Sequence, residues 1–420
     1  MNWRVVISVI VSGLAVVPVQ SAELLVPEDY STINVAIWYA SNGDSISVEA
    51  GTYEQPGGAA VIENTSKSLH IYGRDGSSVT TLNGGGEMGI LLFGGATSNS
   101  LIEGFTITNS SPGVWLDQSS ATLRDVHIVG CSSAFGGVGG GLKVQGGHPN
   151  FEDGSIQQCG ASSYGGGVSV ESGASLSMTD VLIDNNDAPL RGGGVSLSSS
   201  HANMTRCVIS NNTVSGFGAS GGGISVDTSS SVSMSGCLLQ DNLADNGGGL
   251  YSDGNGLRVY AQGCLFLSNT ASLGGGLYSV SSVSLGLCVF GANLGNSAGG
   301  GVFLGGGGDI DACEFIANSA GSGAAVYSNG PHVTIGSSQF CAAPPSSETV
   351  VGTWTNVGDN IWACPCQGDV NADGLFTSVD LLEMLRWFGT DCVESQLDRN
   401  QDGLISVPDL LLLLQAWGPC

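Results

Sequence analysis

The chain has 420 residues, of which 10 are Lys or Arg and 36 are Asp or Glu, so its formal net charge at pH 7 is −26. So few basic residues exclude a nucleic-acid-binding function, because phosphate contacts need Lys and Arg. They also argue against a tight site for polyuronates or sulfated glycans. Gly is abundant at 68 residues, but the regular spacing of Val, Ile, Leu and Cys predicts a packed core rather than a disordered chain.

The N-terminal segment, residues 1–22, has the features of a secretory signal peptide. Arg4 precedes an apolar stretch over residues 5–19, and the segment ends at Gln20-Ser21-Ala22. The stretch is short for a membrane-spanning helix, and no later segment is as apolar over the required length. We expect cleavage after Ala22 and a secreted or cell-surface protein without a transmembrane segment; an uncleaved membrane anchor is the alternative.

The segment after the signal peptide contains a motif typical of the first coil of a solenoid. VPEDYSTI at residues 26–33 is followed by GDSISVEAGTY at residues 43–53. This stretch resembles the opening of pectin-lyase-like right-handed β-helices. The resemblance implies a short helix over residues 31–40 that closes the open end of the solenoid, where an uncovered strand edge would invite aggregation.

A triplet of glycines then recurs along the middle of the chain. The triplets occupy residues 139–141, 165–167, 192–194, 221–223, 247–249, 274–276 and 299–301, and a degenerate copy is Gly323-Ala324-Ala325. The longest step in the series separates the triplets at 192–194 and 221–223. A nearly constant period of about 27 residues is typical of a solenoid.

Each period contains two recurrent blocks. In the first, the triplet is followed by alternating apolar residues, which predicts a strand. The second reads Cys-x-apolar-x-x-Asn and begins at Val181, Cys207, Cys237, Cys264, Cys288 and Cys313. Ser-rich alternating stretches between the blocks add a strand, so each turn has about three strands and equivalent residues stack about 4.8 Å apart.

These blocks resemble the repeats of polymorphic outer-membrane proteins, most clearly in the F-x-x-N segments at residues 266–269, 290–293 and 315–318. The resemblance covers residues 24–340. It implies an all-β, single-stranded right-handed parallel β-helix. It leaves the function open, because the same solenoid serves lyases, hydrolases, adhesins and inert surface proteins.

The C-terminal segment, residues 366–420, changes character, and two stretches in it match a calcium-binding loop. Both read D-x-N-x-D-G with Asp at position 12, whereas an EF-hand has Glu there. Carboxylate, amide and backbone carbonyl oxygens suit Ca²⁺. The predicted ligands of two Ca²⁺ ions are Asp369, Asn371, Asp373, Leu375 and Asp380 in the first loop and Asp398, Asn400, Asp402, Leu404 and Asp409 in the second, with Leu375 and Leu404 acting through their carbonyls.

Each loop is followed by an apolar helical pattern, and no entering helix precedes the first. This duplicated loop–helix arrangement resembles a type I dockerin. The resemblance implies a small α-helical, calcium-binding module that docks onto a cohesin-like or envelope protein. Positions 10 and 11 hold Ser378-Val379 and Val407-Pro408 instead of the Ser-Thr type of pair often found in cellulosomal dockerins.

The 12 cysteines fall into different classes. Cys207, Cys237, Cys264, Cys288 and Cys313 are predicted to form an inward column of mostly buried thiols. Cys131 and Cys159 occupy the Asn position on adjacent coils, and we predict a disulfide between them. A second pair, Cys341 and Cys364, is predicted to join the last coil to the linker.

The candidates for a catalytic site are Asp184 and Asp187 with Arg191, and Asp309 with Asp311. Paired carboxylates act as general acid and base in polysaccharide lyases and hydrolases, and Arg binds uronates. The alternative is that these carboxylates are solvated turn residues.

A column of aromatic residues is predicted on the outside of the solenoid. The middle residue of the strand after each triplet faces outward, and on consecutive coils it is Tyr251, Tyr278, Phe303 and Tyr327. Such a column could stack against a glycan chain. The alternative is a cross-strand ladder that stabilises the sheet.

The sequence therefore predicts a signal peptide (1–22), a right-handed parallel β-helix (23–345) with an N-terminal helical cap, a linker (346–365) and a dockerin-like domain (366–420). The favoured function is non-catalytic recognition or structure at the cell surface. The alternative is a polysaccharide lyase or glycoside hydrolase tethered by the C-terminal module.

Overall fold

The computed structural model describes residues 21–55, 57, 60–94, 99–133, 137–254, 257–341 and 349–362. These residues form a parallel β-solenoid in which every strand pairs with its equivalents on the neighbouring coils. The predicted repeat is confirmed: Val168 pairs with Val195, which pairs with Ile224, one triplet period apart each time. One helix accompanies the strands in the described residues, at Ile33–Tyr39.

A 12-stranded sheet takes one strand from each coil, and in the coils that have a glycine triplet this strand begins directly after the triplet. Its strands are Ile62–Asn64, Ile90–Phe93, Val114–Asp117, Leu142–Gln145, Val168–Glu171, Val195–Ser198, Ile224–Val226, Leu250–Ser252, Leu277–Ser279, Val302–Leu304, Val326–Ser328 and Val350–Gly352.

A 24-stranded sheet contains the two other strands of each coil, and two long strands, Leu101–Thr108 and Thr122–Val129, join its two halves. The other strands of the first half are Glu23–Val26, Ser45–Val48, His70–Gly73, Asn150–Glu152, Ser175–Thr179, His201–Thr205, Ser231–Ser235, Leu257–Gln262, Ser282–Gly286, Gly308–Asp311, Val333–Gly336 and Thr355–Asn356. Those of the second half are Gly51–Glu54, Thr80–Asn83, Ser155–Gln157, Leu182–Asp184, Val208–Ser210, Leu238–Gln240, Leu265–Leu267, Val289–Gly291, Glu314–Ile316 and Gln339–Cys341.

Two small sheets lie between the Asn position and the next glycine triplet. One contains Ser132–Ser133, Gly160–Ala161, Asp187–Ala188 and Thr213–Val214, and the other contains Thr270–Leu273, Leu294–Ala298 and Ser319–Ala320.

A ladder of buried asparagines holds successive coils in register. Its members are Asn186, Asn212, Asn242, Asn269, Asn293 and Asn318. Asn212 shows the pattern: its N–H and its Nδ2 both donate to Asn242 Oδ1 at 3.0 Å, and Nδ2 also donates to Ile183 O at 3.0 Å. Each internal carboxamide therefore donates two hydrogen bonds and accepts two, which satisfies a buried polar group completely.

The interior is filled by columns of like residues. One column runs through Ile156, Ile183, Ile209 and Leu239 and then becomes aromatic. From there Phe266, Phe290, Phe315 and Phe340 stack at centroid distances of 4.6, 5.1 and 5.1 Å, and Trp362 stacks on Phe340 at 4.7 Å. Identical neighbours on parallel coils thus form one continuous core.

The predicted cysteine column is also confirmed. Cys207, Cys237, Cys264, Cys288 and Cys313 are buried and free. The adjacent Cys237 and Cys288 thiols, together with burial, raise the pKa of Cys264 far above its usual value. The Cys264 thiol therefore remains protonated and acts as a small apolar residue.

The predicted disulfide between Cys131 and Cys159 is wrong, because both residues are free thiols in the structure. Their position is as expected, since the Cys159 N–H donates to Asn186 Oδ1 at the top of the ladder. The two thiols interact with each other. Each sulfur also lies beside a carbonyl oxygen, with Cys131 Sγ 3.7 Å from Val129 O and Cys159 Sγ 3.3 Å from Gln157 O. The side chain of Cys341 and all of Cys364 lie outside the described residues.

Both ends of the described solenoid carry additional structure. The helix Ile33–Tyr39 begins after Thr32, whose side chain accepts from the Val35 N–H at 3.2 Å, and it buries Ile33, Ala36 and Ile37. At the other end, strands Val350–Gly352 and Thr355–Asn356 continue both sheets inside the segment expected to be a linker. Trp354 and Trp362 pack over the last coil there, so apolar burial extends the solenoid past residue 345.

No helix in the described residues is long and apolar enough to span a membrane. Positions 1–20 of the predicted signal peptide lie outside that part of the chain.

We predict that Asn242→Ala lowers the stability of the solenoid by about 3 kcal/mol, because it leaves buried donors and acceptors on two neighbouring coils without partners. Thermal unfolding followed by circular dichroism measures the effect. Asn203→Ala is the matched control, since Asn203 is exposed on a strand. Equal effects of the two substitutions would contradict the role of the ladder.

Candidate functional site

The outer face of the 12-stranded sheet holds the predicted aromatic column in register. Tyr251 pairs with Tyr278, Tyr278 with Phe303 and Phe303 with Tyr327 on consecutive coils. Towards the N-terminus the same position is occupied by Ser225, Ser196, Ser169, Lys143 and Trp115, and the Lys143 ammonium lies 4.6 Å from the centre of the Trp115 ring.

The rings of the aromatic column cover one another. Tyr251 and Tyr278 are 5.3 Å apart with planes 4° from parallel, and the next two steps are 4.8 and 5.0 Å. Phe303 is only 8% exposed, and burial raises the pKa of both Tyr251 and Tyr278. The faces inside the column are therefore occupied by neighbouring rings, and a ligand reaches the ring edges and the phenol hydroxyls.

The first glycine of each triplet is required because the chain there lies close to the strand that carries this column. Gly247 has φ +62°, and a Cβ added there would lie 2.9 Å from the Tyr251 Cα. A Cβ added at Gly274 would lie 2.8 Å from the Tyr278 Cα. Any larger residue would push the chain away from the strand. The segment before each triplet is thereby held along the edge of the column.

That segment carries exposed apolar side chains on successive coils, Tyr164, Leu190, Phe217 and Leu243, and we use the name ridge for this set. These side chains come from four successive coils, and Phe217 is fully exposed while the other three are 40–46% exposed. The longest step of the repeat, between the triplets at 192–194 and 221–223, contains the extra loop that carries Phe217. The ridge was not predicted from the sequence, although this irregular step was a signal of it.

Arg191 connects the ridge to the aromatic column. Its Nη1 lies 3.1 Å from Asp253 Oδ2, and its guanidinium carbon is 5.8 Å from the centre of the Tyr251 ring. Asp253 also accepts a hydrogen bond from Thr228 Oγ1 at 3.3 Å. Arg191 thus reaches across two coils instead of joining Asp184 and Asp187.

The predicted carboxylate groups do not form a common site around Arg191. Asp184 belongs to the 24-stranded sheet and Asp187 to a small sheet. Asp309 and Asp311 do share the outer side of Gly308–Asp311, where Asp309 accepts from Thr334 Oγ1 at 2.5 Å.

The hydrogen bonds around Asp184 keep it ionised. Ser210 Oγ, Asn211 Nδ2 and Asn185 Nδ2 donate to it at 2.7, 2.8 and 3.0 Å. Partial burial alone would raise the pKa of Asp184, but these donors outweigh it and hold the pKa below its ordinary value. This shift is opposite to the one that a general acid needs at neutral pH.

The predicted calcium ligands, from Asp369 to Asp409, lie outside the described residues. Within the described part of the chain, no group of three or more His, Cys, Asp or Glu side chains is arranged to hold a metal ion.

Comparison with known proteins identifies a family. Residues 89–270 and 166–340 match the model of a family described as "Right handed beta helix region". No curated protein matches the sequence.

Solved structures are similar at low identity. The tailspike protein gp49 of Acinetobacter baumannii bacteriophage Fri1, described as a capsular polysaccharide depolymerase, is 10% identical with a TM-score of 0.40 over 82% of this chain and 61% of that one. Pectate lyase Pel9A is 12% identical with a TM-score of 0.35 over 83% and 82% of the two chains. A Geobacillus virus E2 protein, ORF18, is 14% identical with a TM-score of 0.37 over 76% of this chain. This chain spans only 54% of ORF18 and 61% of gp49.

Aromatic residues of the column and the ridge should differ sharply in their effect on stability. We expect Phe303→Ala to cost about 3 kcal/mol, since it opens a cavity in the stack, and Phe217→Ala to change stability by less than about 0.5 kcal/mol. Chemical denaturation of both variants measures the difference. A large loss of stability from Phe217→Ala would show that the ridge is structural.

Asp184 should contribute to the loss of folding stability at acid pH. Because its pKa is lowered on folding, its stabilising effect is present above the pKa of the unfolded carboxyl and is lost as the pH falls through the folded value. We expect Asp184→Asn to flatten the fall of the unfolding midpoint below about pH 5, measured against the unsubstituted protein. An unchanged pH profile would contradict this account.

Proposed function

Because this chain belongs to the right-handed β-helix family, we propose that its solenoid presents a binding surface for neutral glycans and has no catalytic role. The surface consists of the aromatic column and the ridge. The observation that carries the proposal is Phe217, a fully exposed ring on the longest step of the repeat, where it contributes nothing to the buried core.

The chemistry of the surface suits uncharged sugars. Exposed rings such as Phe217 and Tyr164 offer faces to the C–H groups of a sugar, and the phenol hydroxyls of the column are hydrogen-bonding groups at the ring edges. Arg191 is already paired with Asp253, and the net charge of −26 repels polyanions. A polyuronate is therefore a poorer ligand than a neutral polymer.

The direction of the pKa shifts argues against a general-acid role for three carboxyl groups. The pKa values of Asp180, Asp184 and Asp227 all move down, because of hydrogen bonds that outweigh burial at Asp184 and Asp227 and because of the Arg206 guanidinium at Asp180. The alternative, a polysaccharide lyase or glycoside hydrolase, rests on Asp309 and Asp311, which share one exposed face.

The other segments of the chain export the binding surface and retain it outside the cell. Residues 1–22 direct export, the helix Ile33–Tyr39 closes the first coil, and residues 366–420 form a dockerin-like module. In that module Asp369, Asn371, Asp373, Asp380 and their counterparts in the second loop hold two Ca²⁺ ions. The loaded module docks onto a cohesin-like or envelope protein and retains the solenoid outside the cell.

Affinity electrophoresis on a panel of neutral and acidic polysaccharides tests the proposed function. We expect retention by at least one neutral polymer and a loss of about tenfold in affinity for Tyr164→Ala/Phe217→Ala, equivalent to about 1.4 kcal/mol. Tyr260→Ala is the control, because Tyr260 is 44% exposed on the other sheet.

Two results would overturn the proposal. One is equal retention of the double variant and the control. The other is the appearance of new reducing ends or unsaturated products during incubation, which would make the protein an enzyme. In that case Asp309→Asn and Asp311→Asn identify the carboxylates involved.

A further inference from the structure

We propose a second saccharide-binding site at the N-terminal end of the solenoid, separate from the aromatic column and the ridge. It is a cavity of about 530 Å³ between the helix Ile33–Tyr39 and the turn that follows strand Ile62–Asn64. Residues 34, 37 and 38 form one wall, and residues 63–67 form the other. The volume is within the range of small-molecule sites.

Hydrogen bonds hold both walls in place. Asn34 Nδ2 donates to Ala60 O and Asn34 Oδ1 accepts from the Glu63 N–H, both at 2.8 Å, which ties the helix to the strand. Lys67 Nζ donates to Ile37 O at 2.6 Å and to Trp38 O at 2.9 Å, which ties the turn to the end of the helix. A ligand therefore meets a preformed cavity and does not have to order its walls.

The turn itself is fixed by the buried Asn64. Its Nδ2 donates to Lys67 O at 2.8 Å, and its Oδ1 accepts from the Lys67 N–H at 3.0 Å. These bonds hold Thr65 and Ser66 at the cavity, so that their hydroxyl groups are available to a ligand from a rigid turn.

Trp38 indicates the class of ligand. It lines the cavity and is 79% exposed, although the opposite side of the same short helix is buried in the core. A large exposed indole beside hydroxyl groups and one carboxylate, Glu63, matches the alternation of C–H faces and hydroxyls on a sugar. Glu63 and Lys67 balance each other in charge, which favours a neutral saccharide over a charged one.

The helix also provides a matched control. Tyr39 is the next residue, it is 66% exposed, and it does not line the cavity. It packs against Tyr30, with ring centres 5.5 Å apart. Replacing Tyr39 therefore removes an exposed ring from this end without changing the cavity wall, whereas replacing Trp38 changes the wall itself.

Isothermal titration with neutral hexasaccharides of β-1,4-glucose, α-1,4-glucose and β-1,4-N-acetylglucosamine tests the site in the full chain. The titrations use the Tyr164→Ala/Phe217→Ala background, which removes the two aromatic rings of the ridge. We expect one remaining site for at least one hexasaccharide, weakened about tenfold or more by Trp38→Ala and less than twofold by Tyr39→Ala. Thermal unfolding of each variant confirms that the helix is retained.

The outcomes separate the two sites. The cavity proposal is overturned if none of the hexasaccharides binds in that background, or if Trp38→Ala and Tyr39→Ala weaken binding equally. A Trp38-dependent site together with unchanged polymer retention by the ridge variant would reject the ridge and keep the cavity. Hydrogen exchange adds an independent readout, since the bound sugar should slow exchange at residues 65–67 and leave the distant ladder unchanged.

Discussion

Satisfaction of buried amides between coils is the constraint on which this solenoid depends. Each asparagine of the ladder places two donors and two acceptor positions inside the molecule, and only a coil directly above and a coil directly below can saturate them. The glycine triplets, the small inward residues and the cysteine column all follow from the same requirement that neighbouring coils approach at sheet distance. A surface built on such coils is rigid, because the strand positions beneath it are fixed by bonds to both neighbours.

Much of this architecture could be predicted from the sequence, because residues that are one repeat apart in the sequence become neighbours on adjacent coils. The cysteine column, the asparagine position and the stacked Tyr251 to Tyr327 rings are each one repeat apart, and the structure places them as neighbours. Contacts between coils that are not adjacent could not be predicted from the sequence. Arg191 contacts Asp253, which is 62 residues away, and no periodic pattern indicates that pair. The disulfide prediction failed for another reason. Adjacent positions permit a bridge but do not require one, and both thiols lie beside carbonyl oxygens instead.

The candidate site was predicted only in part. The aromatic column was found, but its stacking leaves edges rather than faces to a ligand. The part of each ring that a ligand can reach depends on how far the ring is exposed. That exposure depends on the segment before each triplet, and the path of this segment cannot be predicted from residue spacing. The same limit applied to Trp38, whose neighbours in the chain give no indication that it is 79% exposed. For Phe217 the longest step of the repeat was a signal, but the full exposure of the ring appears only in three dimensions. At the C-terminal end, residues 346–365 were predicted to be a linker, yet Trp354 and Trp362 pack over the last coil and the strands Val350–Gly352 and Thr355–Asn356 continue the sheets.

The interior column that changes from isoleucine and leucine to phenylalanine has a consequence for assembly of a repetitive chain. If all coils had the same interior side chains, a coil could pair with the wrong neighbour, since the backbone hydrogen-bonding groups of all coils are equivalent. Here the aliphatic side chains of Ile156 to Leu239 and the rings of Phe266 to Phe340 differ in volume and shape. A displaced coil would set a ring against a space made for an aliphatic side chain, or leave a void where a ring belongs. The change in side-chain size thus distinguishes the aliphatic coils from the aromatic ones, and it opposes a misalignment between these two parts of the core.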